Sequence, residues 1–541
     1  MGASPSSKPS PKPANSKQKL GLRAWMHRVL EECDRAAEGF DAEAVHDLRV
    51  ALRRCRSLAD GLRAIDPDSS WKDMKKSGKK LFQALGELRD MQVMQEWIDK
   101  LSNQNDEKRN DEKRSETADL SGDHPAADPV AAKLLDHVHR REAECKQHAF
   151  KDLNQFDRKQ WRQWSRTLPQ RAARVRPGSA VYLHLALEKW TAAYDLHKRA
   201  LRTRSQTAFH ELRIGIKRFR YTVENFLPQQ HAKWGDDLKE LQDLLGEVHD
   251  LDVLWATAID PNVSAFPDPE TRRRWREKLT AERARRIARY REKMVGRHSL
   301  WRVWRAELPS GPQLRAAAMS RLRTWAGYLD PDFPHSQRVA QLALLLYDGL
   351  NHAGLLTPQG APPNLDPAPR AVLQAAALMH DVGKAKGAEN HQKSSYRMIR
   401  GLARPLGWSA RELELAAIVA RYHRGALPRP SAKSMQTLHL TDRHQAMQSA
   451  GILRLANALD NPKAHSANQN APRLGVNLLE VIVPDHSVVV RVAGYSALDR
   501  SAENIAAARH LLETMLRRRV LVRPLRTSVA GSKSKRNSPV A

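Results

Sequence analysis

The feature that most constrains the fold of this chain is an internal repeat. The segment AVHDLRVALRRCRSLADGL, which begins at Ala44, matches AFHELRIGIKRFRYTVENF, which begins 164 residues later at Ala208. A second matched pair follows, KKLFQALGELRDMQVM from Lys79 and KELQDLLGEVHDLDVL from Lys239, in which LGE and the trailing Asp recur in register. Apolar residues recur at steps of three and four in both pairs, which predicts amphipathic helices. The sequence therefore predicts two helical copies of one unit.

Each copy places cations along one face of its first helix. At 100° per residue, the first copy collects four side chains within an arc of about 80°, namely His46, Arg49, Arg53 and Arg56. The second copy does the same with His210, Arg213, Lys217 and Arg220. A solvated helix face usually mixes both charges, because opposite charges one turn apart attract. Rows of like charge repel unless an anion lies among them, and the planar guanidinium suits phosphate oxygens.

Composition supports a polyanion as the partner. The 541 residues have a net charge of +30, and 41% of them are hydrophobic, so the excess charge belongs to a folded protein of more than one domain. Only 6% are aromatic, which argues against a reader of single-stranded nucleic acid. The three cysteines form no CxxC pair, which excludes a disulfide framework and a thiolate zinc site. No signal peptide or membrane span is predicted, and we expect a cytoplasmic protein.

Polar segments mark the expected boundaries. Residues 1–18 and 526–541 are predicted to be disordered tails. The segment 102–129, with its tandem NDEKRNDEKR, is predicted to be a loop. Residues 271–305 carry 14 Lys or Arg and three Glu, and we expect them to form one helix of charge +11. LPSGP at 308–312 is the best internal boundary.

The repeated HxxR helix followed by LGExRD resembles the CHAD family, an α-helical domain that binds polyphosphate. The resemblance covers about residues 19–307, with repeats at 19–101 and 180–260. It implies two helical-bundle halves with basic helices lining a central tunnel or cleft for the polyanion. It assigns contacts with polyphosphate to His46, Arg49, Arg53, Arg54, Arg56, Lys75, Lys79, Lys80, Arg89, His210, Arg213, Lys217, Arg218, Arg220 and Lys239.

The second half contains histidines and aspartates at the ends of predicted helices. His335 precedes an apolar helix, His380 and Asp381 end VLQAAALMHD, His423 lies in ARYHRG, and Asp460 ends LRLANALD. Imidazole and carboxylate groups at converging helix ends are suitable ligands for divalent Mn, Mg, Fe or Co. Beyond them, GVNLLEVIVPDHSVVVRVAG predicts a β-hairpin, and a final helix is expected over 502–519.

The order H…HD…H…H…D resembles the HD superfamily of metal-dependent phosphohydrolases, and residues 312–523 are most similar to the C-terminal HD domain of the exopolyphosphatase and guanosine pentaphosphatase (Ppx/GppA) family. The resemblance implies that His335, His380, Asp381 and Asp460 bind a first metal. His391 and His423 are candidates for a second metal or for phosphate. Asp381 would also accept a proton, Lys384 would stabilise phosphate charge, and the metal would activate water.

Three departures from the family pattern limit what the resemblance carries over. Gln392 and Ser394 stand where the family has histidines, which argues against a binuclear site, and Asn457 stands where it has an acidic residue. The actin-like domain that carries exopolyphosphatase chemistry is absent from this sequence. We expect a mostly α-helical protein that binds polyphosphate and hydrolyses a phosphoester or phosphoanhydride. The alternatives are a non-catalytic protein of polyphosphate granules with a degenerate HD module, a nucleic-acid partner, and a signalling nucleotide as the HD substrate.

Overall fold

The computed structural model describes residues 21–115, 128–356, 369–460, 479–493, 495 and 501–525. The tails predicted at 1–18 and 526–541 lie outside these residues. The prediction of a mostly α-helical protein with a small C-terminal sheet is confirmed. The chain divides into two compact units, residues 1–64 with 68–308 and residues 65–67 with 309–541. Among the described helices, none has the length and apolar character that a bilayer crossing requires.

The described part of the first unit is built from helices and loops. In chain order the helices are α1 (Leu22–Gly39), α2 (Ala42–Leu62), α3 (Ser70–Ser77), α4 (Lys79–Ser115), α5 (Pro129–Asn154), α6 (Arg158–Ala172), α7 (Ala180–Thr203), α8 (Gln206–Phe226), α9 (Pro228–Ala258), α10 (Pro269–Met294) and α11 (Leu300–Ala306).

The repeated basic helices are α2 and α8, and they begin in the same way. The side chain of Asp41 accepts a hydrogen bond from the backbone N–H of Ala44, and Ser205 accepts one from Ala208. Such N-caps satisfy donors that the first helical turn leaves unpaired. The two helices pack against each other, since Asn225 Nδ2 on α8 donates to Ser57 Oγ on α2 at 3.0 Å. The two helices that carry the cationic faces therefore lie side by side.

The duplication extends further than the sequence prediction. WRQWSRTLP at 161–169 in α6 matches WRVWRAELP at 301–309 in and after α11. Both segments bury their two tryptophans, Trp161 with Trp164 and Trp301 with Trp304. The helices α1 and α6 are in contact, and so are α7 and α11. Each copy therefore ends with a helix that buries two tryptophans and packs on the helix before the basic one, α1 or α7. These helices lie beyond the predicted repeat limits of 101 and 260.

Two predictions for the first unit are wrong. The helix α4 continues to Ser115, through the first half of the segment predicted to be a loop. That half contains no Gly or Pro, and its Glu, Lys and Arg residues have good helix propensity. The basic segment 271–305 is not one helix either, because α10 ends at Met294 and α11 begins at Leu300. Gly296, with φ of +99°, ends the helix in a conformation that favours glycine.

The described part of the second unit surrounds a core of small and branched apolar residues. Its elements are α12 (Gly311–Leu329), α13 (Phe333–His352), α14 (Pro369–Met379), a 3-10 helix (Val382–Lys386), α15 (His391–Arg400), α16 (Ala410–Arg421), α17 (Lys433–Gln436), α18 (Leu440–Leu459), β1 (Leu479–Ile482), β2 (Ser487–Val492), α19 (Ser501–Leu516) and β3 (Arg519–Pro524).

The helix α14 determines where the site of the second unit lies. All but a few of its side chains are buried, among them Val372, Leu373 and Met379. A helix that is apolar all round lies inside the core. The residues that follow its last turn, His380 and Asp381, are therefore buried as well.

The predicted hairpin is confirmed, and a third strand joins it. β1 pairs antiparallel with β2, with Leu479 opposite Val492. β3 pairs parallel with β2, with Ser487 opposite Arg519. The sequence prediction extended the last helix to Arg519, whereas α19 ends at Leu516 and the β-branched residues Val520 and Val522 form the strand.

Candidate functional site

The first unit contains a cleft between α2, α4, α8 and α9, the four helices of the repeated motifs. Its volume is about 430 Å³. We call it the cationic cleft, and it is lined by Arg49, Arg53, Arg89, Asp90, Val93, Glu96, Trp97, Lys100, Arg213, Lys217, Gln242, Asp243, Gly246, Glu247 and Asp250. Arg49 and Arg53 of the first copy are equivalent to Arg213 and Lys217 of the second. Both pairs line the cleft, as the repeat predicts.

Several guanidinium donors of this region have no partner. Within the described residues, the buried Nε atoms of Arg49, Arg53 and Arg213 make no hydrogen bond. A buried donor without an acceptor destabilises the protein by about 1–3 kcal/mol. Three such donors along one cleft are suited to an anion whose oxygens accept from all of them.

Burial and mutual repulsion perturb the cations of the cleft. Burial, followed by the charges of Arg213 and Arg53, lowers the pKa of Lys217 to about 8. Burial and the neighbouring Arg53 also lower the pKa of Arg49. A bound polyanion would reverse both effects, because opposite charge favours the protonated forms.

Carboxylates share the cleft with these cations, and the sequence reasoning missed them. Asp90 and Asp250 are the trailing Asp of the LGE motif in each copy. Burial raises the pKa of Asp250 to about 6, although Arg213 opposes the shift. Burial also raises the pKa of Asp90 against the charges of Arg49 and Arg213. The signal was available, since both Asp residues recur in register, but only the cations were assigned a role.

The structure brings five of the predicted polyphosphate contacts together in the cleft, Arg49, Arg53, Arg89, Arg213 and Lys217. The others lie outside its lining: His46, Lys79, Lys80, Arg218 and Lys239 are exposed, and Arg220 is half-buried.

Four more of the predicted contacts have partners within the protein. Arg54 Nη1 pairs with Glu224 at 2.5 Å. Arg56 Nη1 donates to the carbonyl of Lys75 at 2.6 Å, and Lys75 itself pairs with Asp60. His210 Nδ1 lies 3.3 Å from Nδ1 of His249. These side chains hold helices together in the structure as it stands.

Much of the positive charge of α10 is neutralised by α9. Arg283 pairs with Asp252 at 2.9 Å, Arg286 with Glu247 at 2.8 Å, and Arg289 with Glu240 at 2.8 Å. The sequence predicted one helix of charge +11 over 271–305. The structure shows instead that the inner side of α10 is a helix-packing surface, while Arg272, Arg274 and Arg276 remain exposed.

In the second unit, five of the predicted metal ligands lie close together at the ends of helices. His335 lies in the first turn of α13, His391 begins α15, and His423 follows α16. His380 and Asp381 form the turn between α14 and the 3-10 helix. Except for His335, these side chains are at most 3% exposed. We call these five residues the Asp381 cluster.

The carboxylate of Asp381 lies at the centre of the cluster. Its Oδ2 is 3.3 Å from Nε2 of His380 and 3.8 Å from Nε2 of His335. Its Oδ1 is 3.0 Å from Nε2 of His391 and 3.6 Å from Nε2 of His423. The ligand atoms form two groups within 4.8 Å, His335–His380–Asp381 and Asp381–His391–His423. The two groups share one carboxylate, although the sequence argued against a binuclear site.

Three of the histidines present the same ring nitrogen to the cluster. Nδ1 of His380 lies 2.7 Å from the carbonyl of Ala377, and those of His391 and His423 lie 2.8 Å from the carbonyls of Ala388 and Ala420. A carbonyl only accepts, so each Nδ1 carries the proton. In the neutral rings Nε2 then has a lone pair directed at the cluster, which is the arrangement found in metal-ligating histidines.

The donor set fits a cation. Nε2 of His391 and Nε2 of His423 are only 3.3 Å apart, so two lone pairs would face each other without a proton or metal between them. Burial, followed by the charge of His380, holds the pKa of His423 well below its ordinary value. The Nε2 of His380 is buried and makes no hydrogen bond within the described residues. Burial would raise the pKa of Asp381, but His380 and Lys384 hold it well below its usual range.

Asp460 contacts the cluster through His335. Its Oδ2 accepts from Nδ1 of His335 at 2.7 Å, and Arg338 donates to both carboxylate oxygens at 2.8 and 2.9 Å. Burial opposes ionisation of Asp460, but these bonds lower its pKa to about 2. The predicted first-metal ligand therefore belongs to neither group of ligand atoms. Arg338, one turn after His335, was not identified from the sequence.

The cluster opens to solvent beside His335 and Lys384. The side chains of His335 and Lys384 are 19% and 30% exposed, whereas the other four members of the cluster are buried. Lys384 pairs with Oδ2 of Asp381, on the side that faces His335. Nε2 of His335 lies 3.0 Å from Oδ1 of Asn457. A substrate approaching from solvent would meet a cation, a histidine and an amide first.

Comparison with known families agrees with this division of the chain. Residues 21–259 match the family model of the CHAD domain. Residues 315–479 match the model of Ppx/GppA phosphatase, domain III. No curated protein matches the chain. The chain thus joins a region similar to the CHAD domain, which contains the cationic cleft, to a region similar to domain III of Ppx/GppA phosphatases, which contains the Asp381 cluster.

Proposed function

We propose that this chain binds inorganic polyphosphate in the cationic cleft and hydrolyses a phosphoester or phosphoanhydride at a metal-dependent, HD-type site in its second half. The single observation that carries the first part is the set of buried Nε atoms of Arg49, Arg53 and Arg213, which make no hydrogen bond within the described part of the chain. Six Arg or Lys residues and five carboxylates line the cleft. Because planar guanidinium groups match phosphate oxygens, the arginines favour a phosphate chain as the ligand.

For the second part, we propose that the Asp381 cluster binds two divalent ions from the group Mn, Mg, Fe and Co. His335 and His380 would hold one ion, His391 and His423 would hold the other, and Asp381 would be a ligand in both groups. Imidazole and carboxylate ligands suit these metals. When bound, such ions polarise phosphoryl oxygens and lower the pKa of water.

The chain's own residues then have distinct tasks. The carbonyls of Ala377, Ala388 and Ala420 hold three imidazole rings in one tautomer, and Asp460 does the same for His335. Asp381 is ionised and available as a ligand and proton acceptor. Lys384 lies at the opening of the cluster. It is placed to pair with a phosphate oxygen once Asp381 serves as a metal ligand and no longer pairs with Lys384. Burial of the remaining histidines excludes water from their side of the site.

Covalent linkage of the two units couples the proposed binding of polyphosphate to its proposed hydrolysis. A polyphosphate chain held by the first unit is presented to the second at a raised effective concentration, without any new contact. We propose domain limits of 19–307 and 312–523 for these two parts.

The test combines metal analysis of the purified full chain with a screen for phosphate release. We expect bound Mn, Fe or Co, release of phosphate that stops on chelation, and no release by His380→Ala. A protein that binds none of the four metals, or one whose phosphate release is unchanged in His380→Ala, would overturn the enzymatic part.

The main alternative is a non-catalytic polyphosphate-granule protein. One observation favours it, because Asp460 pairs with Arg338 and His335 instead of joining either group of ligand atoms. Polyphosphate binding with no hydrolysis under any metal would support this alternative. Displacement of polyphosphate by single-stranded DNA at equal phosphate concentration would show that the cleft prefers nucleic acid.

A further inference from the structure

A serine behind the Asp381 cluster connects the segments that carry its two groups of ligands. Ser395 lies on α15, one turn after His391, and is fully buried. Its Oγ accepts a hydrogen bond from the backbone N–H of Gly383 at 2.8 Å and donates one to the carbonyl of His380 at 2.7 Å. The hydroxyl therefore spans the turn that contains Asp381.

The two segments approach each other closely at this point. A Cβ atom at Gly383 would collide with the carbonyl oxygen of His391 and with the backbone nitrogen of Ser395. Glycine is required here because the backbones leave no room for a side chain. With the backbones in contact, the Ser395 hydroxyl determines the register between the 380–383 turn and the start of α15.

We propose that Ser395 is a positioning residue that sets the spacing between the two metal positions of the Asp381 cluster. The inference rests on the proposed function, since it needs a metal in each group. His380 and Asp381 belong to the turn that Ser395 holds, and His391 belongs to its own helix. His423 approaches from α16 and has its own bond to Ala420. Loss of the two hydrogen bonds of Ser395 should therefore move His391 relative to Asp381. The metal position formed by His335 and His380 should stay intact.

The experiment is Mn²⁺ titration of the full chain with calorimetry, together with electron paramagnetic resonance of the coupled ion pair. Ser395→Ala removes both hydrogen bonds. Ser395→Cys keeps most of the volume but bonds weakly, so it separates the loss of the two hydrogen bonds from the creation of a cavity. Ser394→Ala, on the adjacent and partly exposed position, is the matched control.

We expect wild type and Ser394→Ala to bind two Mn²⁺ with spin coupling. In Ser395→Ala the second ion should bind about 10- to 100-fold more weakly, with the first unchanged. Ser395→Cys should resemble Ser395→Ala. The inference is overturned if Ser395→Ala binds both ions like the control, if both sites weaken equally, or if Ser395→Cys restores the second site.

The outcome for the wild type separates this inference from the proposed function. A wild type that binds no Mn²⁺ overturns both. A wild type that binds one ion overturns the inference and the two-ion part of the proposed function, but leaves a metal-dependent site standing. If Ser395→Ala does not fold, the Ser395→Cys titration decides.

Discussion

The cationic cleft and the Asp381 cluster arrange their charged groups in two different ways. The cleft spreads its cations over three helices, α2, α4 and α8, of the two repeated copies, whereas the cluster concentrates its chemistry on one carboxylate within reach of four imidazoles. A distributed site tolerates the loss of any one cation, because the others still pair with the anion. A site built on a single shared ligand has no such redundancy.

The two sites also treat carboxylates in opposite ways. In the cleft, burial raises the pKa of Asp250 to about 6. In the cluster, His380 and Lys384 outweigh burial and hold the pKa of Asp381 well below its usual range. The carboxylates of the cleft are thus prepared to take up protons when an anion binds. The carboxylate of the cluster remains ionised and is prepared to bind a cation.

The largest effect is expected from Asp381→Asn. Because Asp381 is shared by both groups of ligand atoms, its loss should reduce phosphate release and metal affinity by at least about 100-fold. Polyphosphate affinity, measured by filter binding, should not change. The exposed Glu389→Gln provides a control with the same loss of charge nearby. Equal activity of the two variants would show that the cluster is not the active site.

The next largest effect is expected from Arg53→Glu combined with Arg213→Glu, which reverses one cation of each copy. Loss of two charged hydrogen bonds should weaken polyphosphate binding about 100-fold. The slope of log affinity against log salt should fall by about two. Either substitution alone should have a much smaller effect, since the cleft is redundant.

The matched control for this pair is Arg272→Glu with Arg276→Glu, which makes the same charge change on the exposed side of α10. Titration calorimetry at several salt concentrations compares the two double variants. If both lose the same affinity, binding depends on total charge and the cleft is not the binding site.

The third prediction concerns pH, and the expected change in polyphosphate affinity is about tenfold. Lowering the pH from 8 to 5 favours protonation of Asp250 and Asp90, whose pKa values are raised by burial, and takes Lys217, with its pKa of about 8, from half charged to fully charged. All three changes make the cleft more positive, so affinity for long-chain polyphosphate should rise as pH falls. Asp90→Asn with Asp250→Asn should bind more tightly at pH 8 and show a flatter profile between pH 5 and 7. An unchanged profile in this variant would exclude the two carboxylates as the cause.

The smallest effect on ligand binding is expected from Glu224→Gln. Burial opposes ionisation of Glu224, but His231 and Arg54 lower its pKa to about 2. Since the pKa is depressed in the folded protein, the stabilisation is complete above the ordinary value of about 4.5 and is lost as pH falls from there toward 2. The variant should lose about 2–3 kcal/mol of unfolding free energy at pH 7 and less at pH 3.5. Polyphosphate affinity should stay the same, and a large loss would show that Arg54 contacts the ligand.

The repeat in the sequence was sufficient to predict the paired basic helices and five of the six cations that line the cleft, but not Lys100. It did not reveal which cations are neutralised, because partners such as Glu224 for Arg54 and Glu247 for Arg286 come from distant helices. The buried carboxylates Asp90 and Asp250 were present in the motif, but their effect depends on burial. Only the packed structure shows that their pKa values are raised.

The order of histidines and aspartates was likewise sufficient to locate the members of the Asp381 cluster. Sequence spacing did not show that Asp460 pairs with Arg338, since helix position alone does not determine which partner a carboxylate selects. Ser395 gave no signal, because its role comes from a backbone approach at Gly383. The third strand was missed because its β-branched residues follow directly on a helix.

The most direct test of the account is the rate of phosphate release from long-chain polyphosphate by the metal-loaded full chain, measured beside the Arg53→Glu, Arg213→Glu double variant and Asp381→Asn. We predict that the double variant raises KM for polyphosphate and leaves kcat for pyrophosphate unchanged, while Asp381→Asn abolishes release from both. Release that persists in Asp381→Asn, or a wild type that releases no phosphate with any of the four metals, would contradict the account.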